Sequence, residues 1–476
     1  MVDHPTVDHA GKYALIGLGC ADCSETVLLR QIGPDFFDVH DPKLPPDSPP
    51  WPELVCRIAP ISGWFLSFCG GLGVEVRIGH DAANLGSAEF VTRSTAVPDH
   101  NPECLAAVEA GVPVLSRADA LAAICARRRT VAVAGTHGKT TTSSMLALVL
   151  RRAGLRPSFI IGGDVNEVGT GAAWDEGELL VVEADESDGT FVRLPRGAGV
   201  VTNVEPDHLD HHGDYGLLRD AFGAFVEGTD GPVVVGVDDP DGAALAAASG
   251  ATGVGTDTSA DWGITGVVEA WEGVRFVLRG PDGSELPISL PIPGLHNARN
   301  AACAATIARL LDVDVEPIVE GLAGFGGVSR RFEHRGRAAG VEFVDDYAHL
   351  PAEVRATIAA ASSGAQERLV AVFQPHRYSR TEALWADFGD AFAGVDRLYV
   401  TDVYPAGEQP RPGVSGRLIV EAVRGATPEL DVRYVPRRED LVDVLAGDLQ
   451  PGDLCLTMGA GDLTLVPDEV RGRLDA

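Results

Sequence analysis

Short apolar strands alternate with helix-period segments along most of this chain, and no other feature limits the possible folds as strongly. In the middle of the chain, predicted strands lie at Thr130–Ala134, Ser158–Ile161, Leu179–Glu183, Gly199–Asn203 and Val233–Val237. A predicted helix at Thr141–Ala153 follows the first of them. Because strands that alternate with helices form parallel sheets covered on both faces, this region predicts a doubly wound α/β unit.

The same alternation returns near Gly324. Its predicted strands are Val341–Val344, Leu369–Phe373, Leu398–Val400, Val432–Val435 and Leu454–Thr457. Its predicted helices lie near residues 351–362, 381–393, 414–424 and 437–446. This region therefore predicts another doubly wound, Rossmann-like α/β domain.

Two regions depart from this alternation. Residues 262–292 alternate with period two around tight turns, which predicts an antiparallel excursion, and a helix at 297–311 is expected to close the middle unit. Before residue 117, the predicted elements are strands Tyr13–Ile16, Val74–Ile78 and Phe90–Arg93, a proline-rich loop at 42–52 and a helix from Pro102. We therefore predict three α/β domains, at residues 1–117, 118–324 and 325–476.

A glycine-rich segment, GTHGKTT, follows the first strand of the middle unit and opens its first predicted helix. Its residues are Gly135, Thr136, His137, Gly138, Lys139, Thr140 and Thr141. Glycines let backbone N–H groups approach phosphate oxygens, and a helix N-terminus attracts anions. Lys139 is expected to reach nucleotide phosphates and the Thr140 hydroxyl to bind Mg²⁺. Val133 stands where the usual GxxxxGK[ST] spacing needs a glycine, so an ordinary glycine turn is the alternative.

Polar residues follow two further strands of the same predicted sheet. The string EADESD begins at Glu183, and TNVEPDH ends at His208. Since the carboxyl ends of parallel strands lie over the ligand crevice, Glu183 is the first candidate Mg²⁺ ligand. His208 is a candidate ligand of a second metal ion. The alternatives are a solvated acidic loop for EADESD and a structural role for His208.

The charge balance excludes one class of partner. The chain has 69 acidic and 38 basic side chains, a net charge of −31, whereas non-specific nucleic-acid binding needs basic surface. No nucleic-acid partner is therefore expected. Three of the basic residues are lysines, Lys12, Lys43 and Lys139, so a lysine within the glycine loop is a specific signal.

The sequence predicts a cytoplasmic protein without membrane insertion. Its first residues lack the basic start and long apolar run of a signal peptide. The most apolar stretch, Leu54–Val76, is interrupted by Arg57, Pro60 and four glycines, which favours a buried helix and strand. The eight cysteines are expected to be buried thiols, because Cys20 and Cys23 lack the second tight pair of a zinc site.

Several motifs taken together resemble the Mur ligases, the ATP-dependent amide-bond enzymes of peptidoglycan synthesis. The matching strings are GTHGKTTT, EADESD, TNVEPDHLD, HNARNAACA, SRRFEHRG, DDYAHLPAE, FQPHRYSRT and TDVYPAGE. The resemblance is ordered from about Val76 to Asp462 and weak before that. It implies a UDP-binding domain, a central ATPase domain and a C-terminal amino-acid-binding domain. The last two strings look most like the branch of the family that adds L-alanine.

The resemblance also implies roles for individual residues. Besides the glycine loop, the residues implied to contact ATP are His296, Asn297, Asn300, Arg331 and Asp346. Those implied to receive L-alanine are His349, His376, Arg377 and Arg380, since a guanidinium grips a carboxylate with two parallel hydrogen bonds. Candidate contacts to the UDP-sugar are Gly17, Gly19, Asp41 and Ser94.

Several positions depart from the family pattern. In the UDP loop, usually GxGGxGMS, Cys20 and Asp22 occupy glycine positions, where a side chain blocks close approach and a carboxylate repels a diphosphate. Ala348 and Leu350 replace a glycine and a histidine of the DDYGHHP string. Residues 209–230 contain no lysine, whereas several later-acting relatives carry a carbamylated one there, and this supports the alanine-adding branch.

The resemblance implies one reaction and leaves two alternatives. The chain would join L-alanine to the lactyl carboxylate of UDP-N-acetylmuramate through an acyl phosphate, with ATP and two Mg²⁺ ions. Lys139, His208, Arg331 and His349 would be catalytic, and the base for the amine would be His349, His376 or His208. The alternatives are a related ligase that attaches a tripeptide and a catalytically silent nucleotide-binding regulator. Two points stay open: whether the chain uses glycine or L-serine in place of L-alanine, and whether it is a monomer or a homodimer.

Overall fold

The computed structural model describes most of the chain beyond residue 80. The described residues are 13–16, 54–56, 74–76, 80–93, 97–187, 189–206, 214–257, 260–362, 364, 366–406 and 408–475. Within these ranges, no helix is long and apolar enough to cross a lipid bilayer. The cysteines whose side chains are described, Cys104, Cys125, Cys303 and Cys455, are buried free thiols, as expected.

The described residues of the N-terminal region form two small parallel sheets. Their strands are β1 (Tyr13–Ile16), β2 (Leu54–Cys56), β3 (Val74–Val76), β4 (Phe90–Arg93) and β5 (Val114–Ser116). One sheet has the order β1-β4-β5, and β2 pairs with β3. Helices α1 (Pro102–Glu109) and α2 (Arg117–Cys125) follow β4 and β5. The strands predicted at Tyr13 and Phe90 and the helix from Pro102 are confirmed, while the proline-rich loop lies outside the described residues.

The middle region is built on a ten-stranded sheet of order β15-β14-β13-β12-β11-β10-β6-β9-β7-β8. Its strands are β6 (Arg129–Ala134), β7 (Ser158–Val165), β8 (Thr170–Ala173), β9 (Leu179–Glu183), β10 (Ala198–Val201), β11 (Val233–Gly236), β12 (Thr252–Gly255), β13 (Trp262–Ala270), β14 (Gly273–Arg279) and β15 (Glu285–Leu290). Its helices are α3 (Lys139–Arg152), α4 (Tyr215–Glu227), α5 (Pro240–Ser249), α6 (Leu295–Leu310) and α7 (Val315–Ala323). The predicted antiparallel excursion is confirmed, since β13, β14 and β15 pair antiparallel.

Strand β6 lies in the centre of this sheet and determines where a ligand site can form. It pairs in parallel with β9 on one side and with β10 on the other, and all three strands are largely buried. Such strands are covered by helices on both faces, as their continuous apolar sequences indicate. The chain crosses from one side of β6 to the other between β9 and β10, so the carboxyl end of β6 is a topological switch point, where open α/β sheets bind ligands.

The C-terminal region is a six-stranded sheet of order β16-β17-β21-β18-β19-β20, parallel except for the edge strand β16. Its strands are β16 (Glu333–Ala338), β17 (Val341–Asp346), β18 (Arg368–Phe373), β19 (Arg397–Val400), β20 (Asp431–Tyr434) and β21 (Asp453–Met458). Its helices are α8 (Pro351–Ala361), α9 (Tyr378–Leu384), α10 (Arg417–Ala426), α11 (Arg438–Asp448) and α12 (Val466–Leu474).

Two helix predictions are wrong in their extent. The helix predicted at 381–393 is instead α9 followed by a 3-10 turn at Trp385–Phe388, and Gly394 beyond it has a φ of +93°, which does not continue a helix. The helix at 297–311 does not close the middle region, because α7 follows and buries Ile318 and Leu322 in the same core. Strands β8, β12 and β16 were not predicted, since they are short and rich in glycine or charged residues.

Candidate active site

The glycine loop runs from the carboxyl end of β6 directly into α3. Gly135 has a φ of +129°, and Gly138, the N-cap of α3, has a φ of +81°, a region that side chains rarely adopt. A Cβ atom at Gly135 would overlap Thr202, and one at Gly138 would overlap the side chain of Asn300. Both positions therefore require glycine, because the loop lies closely against the end of β10 and against α6.

Reciprocal hydrogen bonds hold this loop against the segment that follows β10. The Thr136 hydroxyl donates to the carbonyl of Glu205 (3.1 Å) and accepts from its N–H (2.9 Å). The Asn203 side chain accepts from the N–H of His137 (2.9 Å) and donates to its carbonyl (3.0 Å). The loop conformation is thus determined by the protein itself.

The Lys139 ammonium points inward and is only 12% exposed. It donates to the carbonyls of Gly135 (2.8 Å) and Thr136 (3.1 Å). It also forms an ion pair of 2.8 Å with the fully buried Glu186. Burial alone would lower the pKa of Lys139, but the negative charges of Glu186 and neighbouring carboxylates outweigh burial and raise that pKa. Burial also raises the pKa of Glu186, to about 7. The EADESD string indicated carboxylates here, but not that Glu186 would be the partner of the lysine.

Thr140 and Glu183, two of the three predicted Mg²⁺ ligands, lie side by side. The Thr140 hydroxyl donates to Glu183 Oε1 (3.0 Å), and the N–H of Gly162 donates to Glu183 Oε2 (2.7 Å). Within the described ranges, no group of three or more His, Cys, Asp and Glu side chains forms a metal site by itself. His208, the third predicted ligand, lies outside those ranges.

A cavity of about 280 Å³ lies between the middle and C-terminal sheets and contains many of the predicted ATP-binding residues. Those that line it are His137, Gly138, Thr141, His296, Asn297, Asn300, Arg331 and Asp346. Apolar side chains such as Ile292 and Phe325 line it as well. A more open groove of about 410 Å³, lined by Arg151, Arg152 and Glu320 among others, shares no residue with this cavity.

Helix α6 contributes His296, Asn297 and Asn300 to the cavity wall. Burial, reinforced by two nearby arginines, lowers the pKa of His296 to about 4, so its ring is neutral. The Asn297 side chain donates to the carbonyl of Pro293 (2.7 Å), which orients the amide. The predicted residues of HNARNAACA are thus brought together on the first two turns of one helix.

Arg331 lies in the segment that joins the middle and C-terminal sheets, and its two neighbours have left-handed backbones. Arg330 has a φ of +62° and Phe332 a φ of +50°. The Asp346 carboxylate, at the end of β17, accepts from the N–H groups of Phe332 (2.7 Å) and Ala348 (2.7 Å). Burial raises the pKa of Asp346 to about 6. Asp346 therefore shapes the turn that carries Arg331, besides lining the cavity.

The four predicted alanine-binding residues lie close together beyond β17 and β18. The rings of His349 and His376 meet edge to face with centroids 5.5 Å apart, and His376 stacks on Tyr404 at 5.9 Å. Arg380 donates to His376 Nδ1 (2.9 Å), and Arg377, the N-cap of α9, has a φ of +68°. Burial, and then the positive charges nearby, lowers the pKa of His376 to about 2. His376 is therefore a neutral acceptor for Arg380.

Two carboxylates in this region were not identified from the sequence. Glu353 lines the cavity, and its side chain is 15% exposed. Its carboxylate lies within ion-pair distance of His349, just before the same helix, and of His137 in the glycine loop. A glutamate at the third helical position indicates only a helix cap. Glu408 accepts from the N–H of Ser379 (2.8 Å) and from its hydroxyl, which ties the TDVYPAGE loop to α9.

The predicted contacts to the UDP-sugar are not among the residues that the structure describes. Gly17, Gly19, Asp41 and Ser94 all lie outside the described ranges, as do Cys20 and Asp22. Ala348, which replaces a family glycine, does not have a positive φ, so glycine is not required there.

Three family models match consecutive parts of the chain. Residues 71–129 match the catalytic domain of the Mur ligase family, residues 133–308 the Mur ligase middle domain, and residues 330–461 the glutamate ligase domain of Mur ligases. These segments follow the order of the three regions of the fold, and the expected three-domain α/β architecture is confirmed.

Relatives and solved structures agree with these matches. The UDP-N-acetylmuramate–L-alanine ligase of Kineococcus radiotolerans is 47% identical over 84% of this chain and 86% of its own length. That of Saccharopolyspora erythraea is 45% identical over 85% of this chain and 84% of its own. The crystal structure of the UDP-N-acetylmuramate–alanine ligase of Thermotoga maritima covers 86% of this chain and 90% of its own, with a TM-score of 0.74 and 26% identity.

Proposed function

This chain belongs to the Mur ligase family, and from that membership we propose that it joins L-alanine to the lactyl carboxylate of UDP-N-acetylmuramate, with ATP. The observation that carries the proposal is the identity of 47% and 45%, over more than four fifths of the chain, to two ligases named for this reaction. The reaction would supply a peptidoglycan precursor in the cytoplasm, and the chain would act as a monomer or a homodimer.

The chemistry requires activation of a poor electrophile. A lactyl carboxylate oxygen attacks the γ-phosphorus of ATP, ADP leaves, and an acyl phosphate forms. The neutral amine of L-alanine then attacks the acyl carbon, and phosphate leaves with one of the original carboxylate oxygens. Such a phosphoryl transfer depends mainly on positioning and on neutralising phosphate charge.

The ATP half of the site uses the glycine loop and the cavity. Lys139 and the N–H groups at the start of α3 bind the phosphates, and Arg331 approaches them from the C-terminal region. The side chains of α6, with His296 neutral, face the adenine. This assignment is supported by the cavity, which joins the glycine loop, α6 and Arg331 in one space.

Mg²⁺ suits the oxygen donors at the end of β9. The Thr140 hydroxyl and the Glu183 carboxylate, 3.0 Å apart, are hard ligands of the kind that Mg²⁺ prefers, and we assign both to it, with His208 for a second ion. Bound there, Mg²⁺ would neutralise charge on the β- and γ-phosphates.

The amino-acid half uses Arg377 and Arg380 to bind the L-alanine carboxylate. His376 accepts a hydrogen bond from Arg380 and so orients it, which leaves His376 less suited than His349 to take a proton from the amine. His349 is the base in our proposal. Its Nδ1 lies 3.0 Å from the carbonyl of Tyr347, an acceptor that keeps the proton on Nδ1 and leaves Nε2 to receive one.

The UDP-sugar is assigned to residues 1–117, with Gly17, Gly19, Asp41 and Ser94 as its contacts. The domain boundaries near residues 117 and 324 belong to the same proposal. Cys20 and Asp22 alter the usual glycine loop there, so a separate measurement of UDP-N-acetylmuramate binding tests this assignment.

The test is phosphate release by the purified full chain with ATP, Mg²⁺ and UDP-N-acetylmuramate, over a panel of L-alanine, glycine, L-serine and the stem tripeptide. Release that depends on L-alanine, together with rescue of a strain depleted of its alanine ligase, supports the proposal. Preference for the tripeptide would indicate the related ligase that attaches a tripeptide. No amine-dependent release would indicate a silent nucleotide-binding protein.

A further inference from the structure

Glu353 lies where the middle and C-terminal regions meet. It occupies the third position of α8, directly after Pro351 and Ala352, and it lines the cavity between the two sheets. Its side chain is only 15% exposed. A buried carboxylate is costly unless it is paired and hydrogen-bonded, so the partners of each oxygen indicate its purpose.

One oxygen serves the C-terminal region. Glu353 Oε2 accepts from the backbone N–H groups of His349 (3.0 Å) and Leu350 (3.2 Å), and it lies 3.3 Å from His349 Nδ1. This oxygen therefore caps α8 and holds the turn that carries His349.

The other oxygen faces the residues assigned to the nucleotide. Glu353 Oε1 lies 3.5 Å from His137 Nδ1 in the glycine loop and 3.9 Å from an Arg331 nitrogen. His137 also lies 3.6 Å from Glu205, on the segment that holds the loop. Burial alone would lower the pKa of His137, but Glu205 and Glu353 outweigh it and raise that pKa to about 10, so the ring is a cation.

We propose that Glu353 is a positioning residue that couples the glycine loop to the turn carrying His349, with one carboxylate oxygen for each. The inference rests on the proposed function, since it assigns ATP to the cavity and L-alanine to the residues around His349 and His376, which do not line it. Because a single carboxylate contacts both places, nucleotide phosphates that draw His137 and Arg331 toward them also determine where the His349 turn lies. Binding of the nucleotide phosphates then also completes the amino-acid site.

Glu353→Gln separates this role from helix capping. A glutamine oxygen still accepts from the His349 and Leu350 N–H groups, so α8 keeps its cap, whereas the charge toward His137 and Arg331 is lost. Asp119→Asn is the matched control, because Asp119 is the third-position carboxylate of α2, caps Ser116 and pairs with Arg193, away from the cavity.

Steady-state kinetics give the first test. For Glu353→Gln we expect kcat/KM for L-alanine to fall roughly ten- to a hundredfold, since misplacement of His349 costs about this much. KM for ATP should rise by less, about two- to fivefold, because the glycine loop keeps its other contacts. Asp119→Asn should match the wild type. If the wild type is active and Glu353→Gln has the same kinetic constants, the inference is overturned. If the wild type is inactive, the result counts against the proposed function instead.

Hydrogen exchange gives a test that needs no activity. In the full chain, Glu353→Gln should speed amide exchange at residues 135–138, because the loop loses its charged partner, while the N–H groups of His349 and Leu350 keep their acceptor and exchange at about the wild-type rate. A role confined to capping would leave exchange unchanged in both segments, because glutamine preserves the cap. Unchanged exchange at residues 135–138 would therefore overturn the inference even if L-alanine proved not to be the substrate.

A double-mutant cycle identifies the partner across the cavity. If Glu353 acts through His137, then His137→Gln combined with Glu353→Gln should lose little more loop protection than the worse single change. Fully additive losses would mean that Glu353 does not act through His137, and would overturn that part of the inference.

Discussion

The two halves of the proposed site, for the nucleotide and for the amino acid, hold their cations in different ways. Lys139, in the nucleotide half, is paired with the buried Glu186 and donates to two carbonyls of its own loop. Arg377, in the amino-acid half, has a left-handed backbone, and its buried Nε has no hydrogen-bond partner among the described residues. Lys139 is therefore paired by the protein itself, whereas Arg377 keeps a strained backbone and an unsatisfied donor, which a substrate carboxylate would satisfy.

The largest expected effect tests the nucleotide half. Lys139→Ala should lower kcat by about a thousandfold or more, since it removes a cation that the proposal assigns to the transferred phosphate. Far-ultraviolet circular dichroism should show the wild-type fold, which separates lost chemistry from lost structure. Turnover within a few fold of the wild type would remove Lys139 from the mechanism.

The next effect tests the amino-acid half. Arg380→Ala should raise KM for L-alanine roughly tenfold to hundredfold and leave KM for ATP nearly unchanged, because the charge that is lost is the one assigned to the L-alanine carboxylate. Initial-rate kinetics with each substrate varied in turn measure the difference. The reverse pattern would place Arg380 in the nucleotide half.

A smaller effect concerns His376 and pH. Its folded-state pKa of about 2 lies below the ordinary value of about 6.5, so below pH 6.5 the unfolded chain binds a proton that the folded chain does not. Stability should therefore decrease as the pH falls, by about 2 kcal/mol at pH 5 from this residue. Urea unfolding at pH 7 and pH 5 should show that His376→Asn loses less stability than the wild type. Equal losses would mean that His376 is charged in the fold.

The smallest effect isolates the strain at Arg377. Arg377→Gly and Arg377→Ala both remove the guanidinium, but only glycine adopts a φ of +68° without cost. The glycine variant should be more stable than the alanine variant by about 1 kcal/mol, while both should bind L-alanine poorly. Thermal unfolding of the pair makes the comparison, and equal stability would show that this backbone is not strained.

The sequence predicted the glycine loop correctly, because its local pattern of strand, glycines and helix is also the pattern that a phosphate-binding loop requires. The β-branched strand before Gly135 and the helix after it predicted the glycine loop, and the contacts at Gly135 and Gly138 explain why glycine is needed there. The pattern did not predict Glu186 or Glu353 as partners, because ion pairs between residues 47 or more positions apart depend on how strands and helices pack. The helix predicted at 381–393 was too long, because apolar spacing does not show where an α-helix ends and a 3-10 turn begins.

The most direct test of the central claim follows one oxygen atom. UDP-N-acetylmuramate labelled with heavy oxygen in its lactyl carboxylate is incubated with the full chain, ATP, Mg²⁺ and L-alanine, and the released phosphate is analysed by mass spectrometry. An acyl-phosphate ligase transfers one labelled oxygen to each phosphate released with the alanyl product. Phosphate without label, or labelled substrate left unchanged while ATP is consumed, would contradict the account.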